Sequence, residues 1–96
     1  MTQLKRSSEA EADLDEILTY GVMRFGEQVG TEYFFSFVDA FDTLTRFPEA
    51  GRPADEVQSG LRRLLHRQHR IFYFHADDVV RIVRILHHAM DTNGKF

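Results

Sequence analysis

The hydrophobic period of this chain changes once, at "FPEAGRP", residues 47 to 53. Upstream, apolar residues return every three or four positions; downstream, they alternate in twos. The first period buries one stripe of a helix, and the second buries one face of a strand. The two prolines of the boundary stop a helix, and Gly51 permits a turn. The expected class is α+β, with helices first and strands after. At 96 residues the chain has room for a single domain, residues 1–96, around one modest core.

Ahead of the helical part, "TQLKR" at residues 2–6 reads as a short strand. Ser8 and Glu11 have the spacing of a capping box, with further acids crowding the first turn. Leu14, Ile17, Leu18, Gly21 and Phe25 then form an apolar face, with Asp13, Asp15 and Glu16 outside it, and Gly26 is suited to end this helix. A second helix is expected from Glu27 to Arg46. Its stripe of Tyr33, Phe34, Phe37, Phe41 and Leu44 is widened by Phe35 and Val38. Such a stripe is mostly core, yet broad enough for part of it to form an exposed groove for a partner.

Three strands are expected beyond the boundary: "GLRRLLHRQ", "RIFYFHA" and "DVVRIVRILHH", with Ala76-Asp77-Asp78 as a hairpin turn. In the middle strand Ile71 and Tyr73 share one face, and Phe72 and Phe74 share the other. Both faces are apolar, while a pair of helices covers only one. The second face therefore needs the C-terminal tail or a second chain, or stays partly open. In the last strand, plain alternation puts Val80, Ile82, Arg84, Leu86 and His88 on one face, opposite Val79, Arg81, Val83, Ile85 and His87.

The formal net charge of −3 hides two unlike halves. Residues 1–51 carry four Lys/Arg against ten Asp/Glu; residues 52–96 carry eight against five, and all five histidines. Either two surfaces meet two different partners, or the halves complement each other within one fold. Arg62, Arg63, Arg67, Arg70, Arg81 and Arg84 lie on strands expected to neighbour one another. Arginines so placed suit phosphate or carboxylate, and with His87 or His88 they make an RNA-cleaving site conceivable. Pairing with the acidic half is the plainer use.

Other chemistries are excluded more firmly. Without cysteine there is no disulfide or thiolate zinc site. His87 and His88, adjacent in a strand, are expected on opposite faces, and His66, His69 and His75 lack helical metal-ligand spacing, so no metal or cofactor is expected. The serines sit in no nucleophile elbow, and no glycine-rich phosphate loop occurs. No apolar run approaches the ~18 residues of a membrane span, and "MTQLKRSSEAEAD" lacks the apolar middle of a signal peptide. A cytoplasmic protein that meets no membrane is expected.

Several short motifs occur in a telling order: Ala12-Asp13-Leu14, then Phe47-Pro48 with Gly51-Arg52, then Tyr73, then Arg84-Ile85-Leu86-His87 followed by Met90-Asp91. Over nearly the whole chain this order resembles the ParE branch of the RelE/ParE toxin superfamily. The resemblance implies an N-terminal strand and a helical hairpin packed on a small antiparallel sheet. It implies a toxin of a two-gene toxin–antitoxin system that inhibits DNA gyrase without being an enzyme and meets nucleic acid only through that target. It also implies a ParD-like antitoxin whose C-terminal segment folds on contact. On this reading Arg84, His87, Met90 and Asp91 are candidates for target contact, and Leu18, Phe34, Phe37, Phe41 and Tyr73 for antitoxin contact. A RelE-like ribosome-dependent mRNA endonuclease is the alternative within the superfamily. The negative net charge, the absence of any tyrosine after Tyr73 and a tail "HHAMDTNGKF" with one lysine argue against it. A non-toxic relic of the fold that only binds antitoxin is a third reading.

Overall fold

A computed structural model describes residues 2–96. Its elements run β1 (Gln3–Arg6), α1 (Ser8–Phe25), α2 (Glu27–Arg46), β2 (Arg52–Pro53), β3 (Arg62–His66), β4 (His69–Ala76) and β5 (Val79–His87). The sheet order is β1-β5-β4-β3-β2. Strands β3 to β5 form the expected antiparallel set, the short β2 adds antiparallel to β3 where no strand was expected, and β1 pairs parallel to β5 and makes the sheet mixed. Parallel neighbours need a long crossover, and everything from α1 to β4 separates these two strands.

The start of α1 is set by the sheet. Ser7 N–H donates to Ile82 O at 2.9 Å, so Ser7 is still extended (ψ 162°) and becomes the cap instead of Ser8. Its Oγ accepts from Ala10 N–H at 3.0 Å and donates to Val83 O at 2.8 Å. Ser8 is the first helical residue, and the expected capping box does not form. Gly26, at φ 92°, closes α1 and directly precedes α2, where a side chain would be strained. The resulting hairpin crosses closely at two glycines. A Cβ on Gly21 would lie 3.2 Å from Gly30 Cα, and one on Gly30 would fall on the backbone of Gly21 and Val22.

Ala76, Asp77 and Asp78 turn as expected. Both aspartates have positive φ, at 53° and 59°, as a two-residue hairpin turn of the right twist requires. The alternation in β5 fails midway. Phe72 pairs with Arg84 but Tyr73 pairs with Ile82, which leaves Val83 unpaired in a β-bulge. One extra residue exchanges the faces beyond it. Val80 and Ile82 thus join Ile85 in the core under the helices, while Val83 and Leu86 lie on the far side.

That helix-side core contains Leu14, Ile17, Phe37, Leu44, Ile71 and Tyr73. The far face has its own smaller core of Ala54, Leu61, Phe72 and Leu86. Residues 54–61 cover it, and the Phe96 ring packs edge-on 5.0 Å from that of Phe72. The chain's own tail therefore covers this face, as one expected option had it, together with a loop that alternation alone does not reveal. Full burial of a side chain such as Phe72 stabilises the fold by roughly 1.5–3 kcal/mol.

Candidate functional site

Arg84 extends from the bulged part of β5 to the edge of the sheet. Its Nε and Nη2 donate to the two oxygens of Asp13, at 2.8 and 2.9 Å, and Nη1 donates to Lys95 O at 3.2 Å. The same Asp13 carboxylate accepts from Ile85 N–H at 2.9 Å. Pairing with β1 ends at Ile82, so this carboxylate satisfies a β5 edge group that β1 does not reach. Asp13 is 7% exposed, which corrects its expected place outside the apolar face. It stands three residues after Ala10 and four before Ile17, both core residues, and that spacing is the signal for its burial. Donating to the Asp13 carboxylate raises the Arg84 pKa above its usual value. Arg84 is thus already engaged by its own chain.

Past Arg84, the end of β5 meets a group of imidazoles. His87 lies 5.4 Å from His69 and 4.6 Å from His88, ring centre to ring centre. β5 ends at His87, so His88 leaves the alternation and lies beside its neighbour, not on the opposite face as a continued strand would place it. Tyr33 Oη is 2.6 Å from His69 Nδ1, and Ser36 Oγ is 2.7 Å from His66 Nε2. Burial first, and then the nearby His87, His66 and His88, push the His69 pKa down to about 4. Burial also lowers that of His66. Among the described residues no group of three or more His, Cys, Asp or Glu side chains is placed to hold a metal.

The other target-contact candidates follow directly. Met90 is exposed; its N–H donates to His87 O at 2.9 Å, and its carbonyl accepts from Arg70 Nη2 at 2.7 Å. Asp91 is exposed and accepts from Asn93 N–H at 2.9 Å. His87, Met90 and Asp91 therefore cluster in one turn, while Arg84 is turned toward Asp13.

The antitoxin-contact candidates divide by burial. Leu18, Phe34 and Phe41 are half-buried and reachable. Phe37 is 1% exposed and Tyr73 fully buried, so neither is available to a partner docked on the folded protein. Tyr73 instead anchors the helix-to-strand boundary. Its hydroxyl donates to Pro48 O at 2.7 Å and accepts from Gly51 N–H at 2.9 Å. A Cβ at position 51 would stand 2.6 Å from that hydroxyl, which is why a glycine is needed there. The exposed apolar side chains of the hairpin are Tyr20, Met23 and Phe25 on α1 and Val29, Phe35 and Val38 on α2. Met23 and Val29 escape a reading that follows only the buried stripe.

The expected arginine cluster disperses. Arg62 binds Gly51 O and Glu49 O, Arg67 lies over the Tyr33 ring, Arg84 holds Asp13, and Arg81 is exposed. Arg63 and Arg70 remain together on the far face.

Comparison with known proteins adds the family. The profile described as "ParE toxin of type II toxin-antitoxin system, parDE" matches residues 4–92. This chain belongs to the ParE toxin family. Toxin ParE1 of Caulobacter vibrioides is 31% identical over 94 residues, covering 98% of this chain and 97% of that protein. In a solved structure of the chromosomal ParDE system of P. aeruginosa, one chain superposes with a TM-score of 0.80 at 27% identity, over 91% of this chain and 96% of that one. A chain of the YoeB–YefM complex of Staphylococcus aureus shares the fold, with a TM-score of 0.62 at 13% identity over 92% and 98% of the two chains. The protein is thus a ParE toxin of a type II toxin–antitoxin system, built on the α+β architecture of this wider group. No helix of this ParE toxin, among the described residues, is long and apolar enough to cross a membrane.

Proposed function

We propose that this ParE toxin acts in the cytoplasm as a non-enzymatic inhibitor of DNA gyrase and is held inactive by a ParD-like antitoxin. The family match over residues 4–92 carries this reading. The antitoxin is assigned to the helical hairpin, where Leu18, Phe34 and Phe41 are half-buried beside the exposed Phe35 and Val38. An apolar face of this kind suits an amphipathic segment that folds as it docks. The target is assigned to the turn after β5, through His87, Met90 and Asp91. Arg84, paired with Asp13, also holds Lys95 O in the tail that follows that turn.

The engagement of Arg84 also bears on the nuclease alternative. Cleaving RNA requires cations free to meet an anionic transition state. Here Arg84, the arginine of the strand end, is paired with a carboxylate. The test is a gyrase supercoiling assay with trapping of cleaved DNA, run beside mRNA cleavage on translating ribosomes. Gyrase inhibition with intact mRNA is the expected outcome, and ribosome-dependent cleavage with unaffected gyrase would sink the proposal.

A further inference from the structure

On the sheet face away from the helices, Arg52, Arg63 and Arg70 line one cleft of about 260 Å³ together with Leu65. Arg52 and Arg63 are direct cross-strand partners, an arrangement that places like charges opposite each other and is destabilising. Of the three, among the described residues, only Arg63 pairs with a carboxylate, that of Glu56 at 3.4 Å, and that acid is itself well exposed. Arg52 makes no ion pair or side-chain hydrogen bond among the described residues. Arg70 is fixed in place, with Nη2 on Met90 O at 2.7 Å and its guanidinium 5.4 Å from the centre of the Phe72 ring. Its Nε is buried without a hydrogen-bond partner among the described residues, a polar group that the folded chain leaves unsatisfied. Leu65 stands beside these charges at 67% exposure.

Unbalanced guanidiniums on adjacent strands, one of them already fixed, form a receptor for oxyanions. We infer that the Arg52–Arg63–Arg70 cleft binds an acidic segment of a protein partner, with carboxylates on the arginines and an apolar side chain on Leu65. Carboxylate is favoured over the phosphates of a nucleic acid for two reasons. An aliphatic side chain, Leu65, lines the cleft among the arginines; and Phe72, the aromatic beneath it, is fully buried and offers no base a stacking surface. This surface lies on the opposite side of the sheet from the helical hairpin, so it adds to whatever binds there.

The experiment titrates the full-length, isotope-labelled toxin with the capped peptide Glu-Asp-Leu-Asp-Glu and follows its NMR resonances. Two parallel titrations use the amide analogue Gln-Asn-Leu-Asn-Gln and a ten-nucleotide thymidine strand. The acidic peptide is expected to cause saturable shifts confined to β2, β3 and the start of β4, and to bind about tenfold more tightly than the amide analogue, as charge-assisted bonds require. Arg52→Gln, at an exposed side chain, and Arg63→Gln, at a partly buried one, should each weaken it by a similar factor. Shifts scattered over the surface, equal binding of the amide analogue, or affinity unchanged in both variants would overturn the inference. Tighter saturation of the same resonances by the oligonucleotide would also overturn it and assign the cleft to nucleic acid.

Discussion

Asp13 and Arg84, 71 residues apart, meet through two parallel hydrogen bonds of 2.8 and 2.9 Å. The same carboxylate accepts the Ile85 N–H, so a single α1 side chain holds the last strand at the point where its pairing with β1 has ended. The turn of His87, Met90 and Asp91 follows three residues later. Helix, edge and candidate site are thus fastened at one place.

Asp13→Ala leaves a guanidinium and a backbone donor without their partner in a largely buried site. The expected loss is about 3–5 kcal/mol, read from urea unfolding. Arg84→Lys keeps the charge but not the planar fork, and should fall between the wild type and Asp13→Ala. Equal stability of Asp13→Ala and the wild type would remove the pair from the account.

Gly30→Ala forces a methyl group onto the backbone of Gly21 and Val22. Overpacking of this kind costs roughly 1–3 kcal/mol, and it should separate the two helices and lower the melting temperature. Ala at Gly26, where the Cβ meets nothing within 4 Å, tests only the strain of φ 92° and should cost less.

The histidine group makes stability depend on pH. His69 titrates near 4 in the fold against about 6.5 when unfolded, so between those values the unfolded chain binds more protons. Stability should therefore be flat above about pH 6.5 and fall as pH drops toward 4. His66 shifts in the same direction and adds to the slope. In a pH series of urea melts, His69→Gln should flatten this segment.

On the helical hairpin, Val38→Asp and Phe37→Asp should part company. Val38 is 60% exposed, so its variant should fold normally and bind antitoxin at least about tenfold more weakly if the hairpin is the docking face. Phe37 lies in the core, and an unpaired carboxylate there should unfold the protein. Calorimetric titration of the folded Val38→Asp variant decides it, and undiminished binding would move the antitoxin elsewhere.

What could be read from sequence follows from what local rules govern. The change of period at Phe47 marks the end of α2, and Gly26 and the Asp77–Asp78 turn fall where glycine and turn chemistry put them. The bulge at Val83 has no local signature, because it exists only in the pairing of β5 with β4, and it moved half of the last strand to the other face. Asp13 was legible as a motif residue but not as a buried one, since its partner lies at the far end of the chain. Tyr73 and Phe37 belong to apolar patterns that mark core and binding surface alike, and burial separates the two. The convergence of Arg52 with Arg63 and Arg70 depends on β2, a two-residue strand too short to leave a periodic trace.

The most direct test of the central claim is supercoiling by purified gyrase in the presence of this toxin, with and without its antitoxin, with cleaved DNA trapped and mRNA followed on translating ribosomes in parallel. The account predicts lost supercoiling and accumulated cleavage complexes that antitoxin reverses, with mRNA intact. Unaffected gyrase together with ribosome-dependent mRNA cleavage would contradict it.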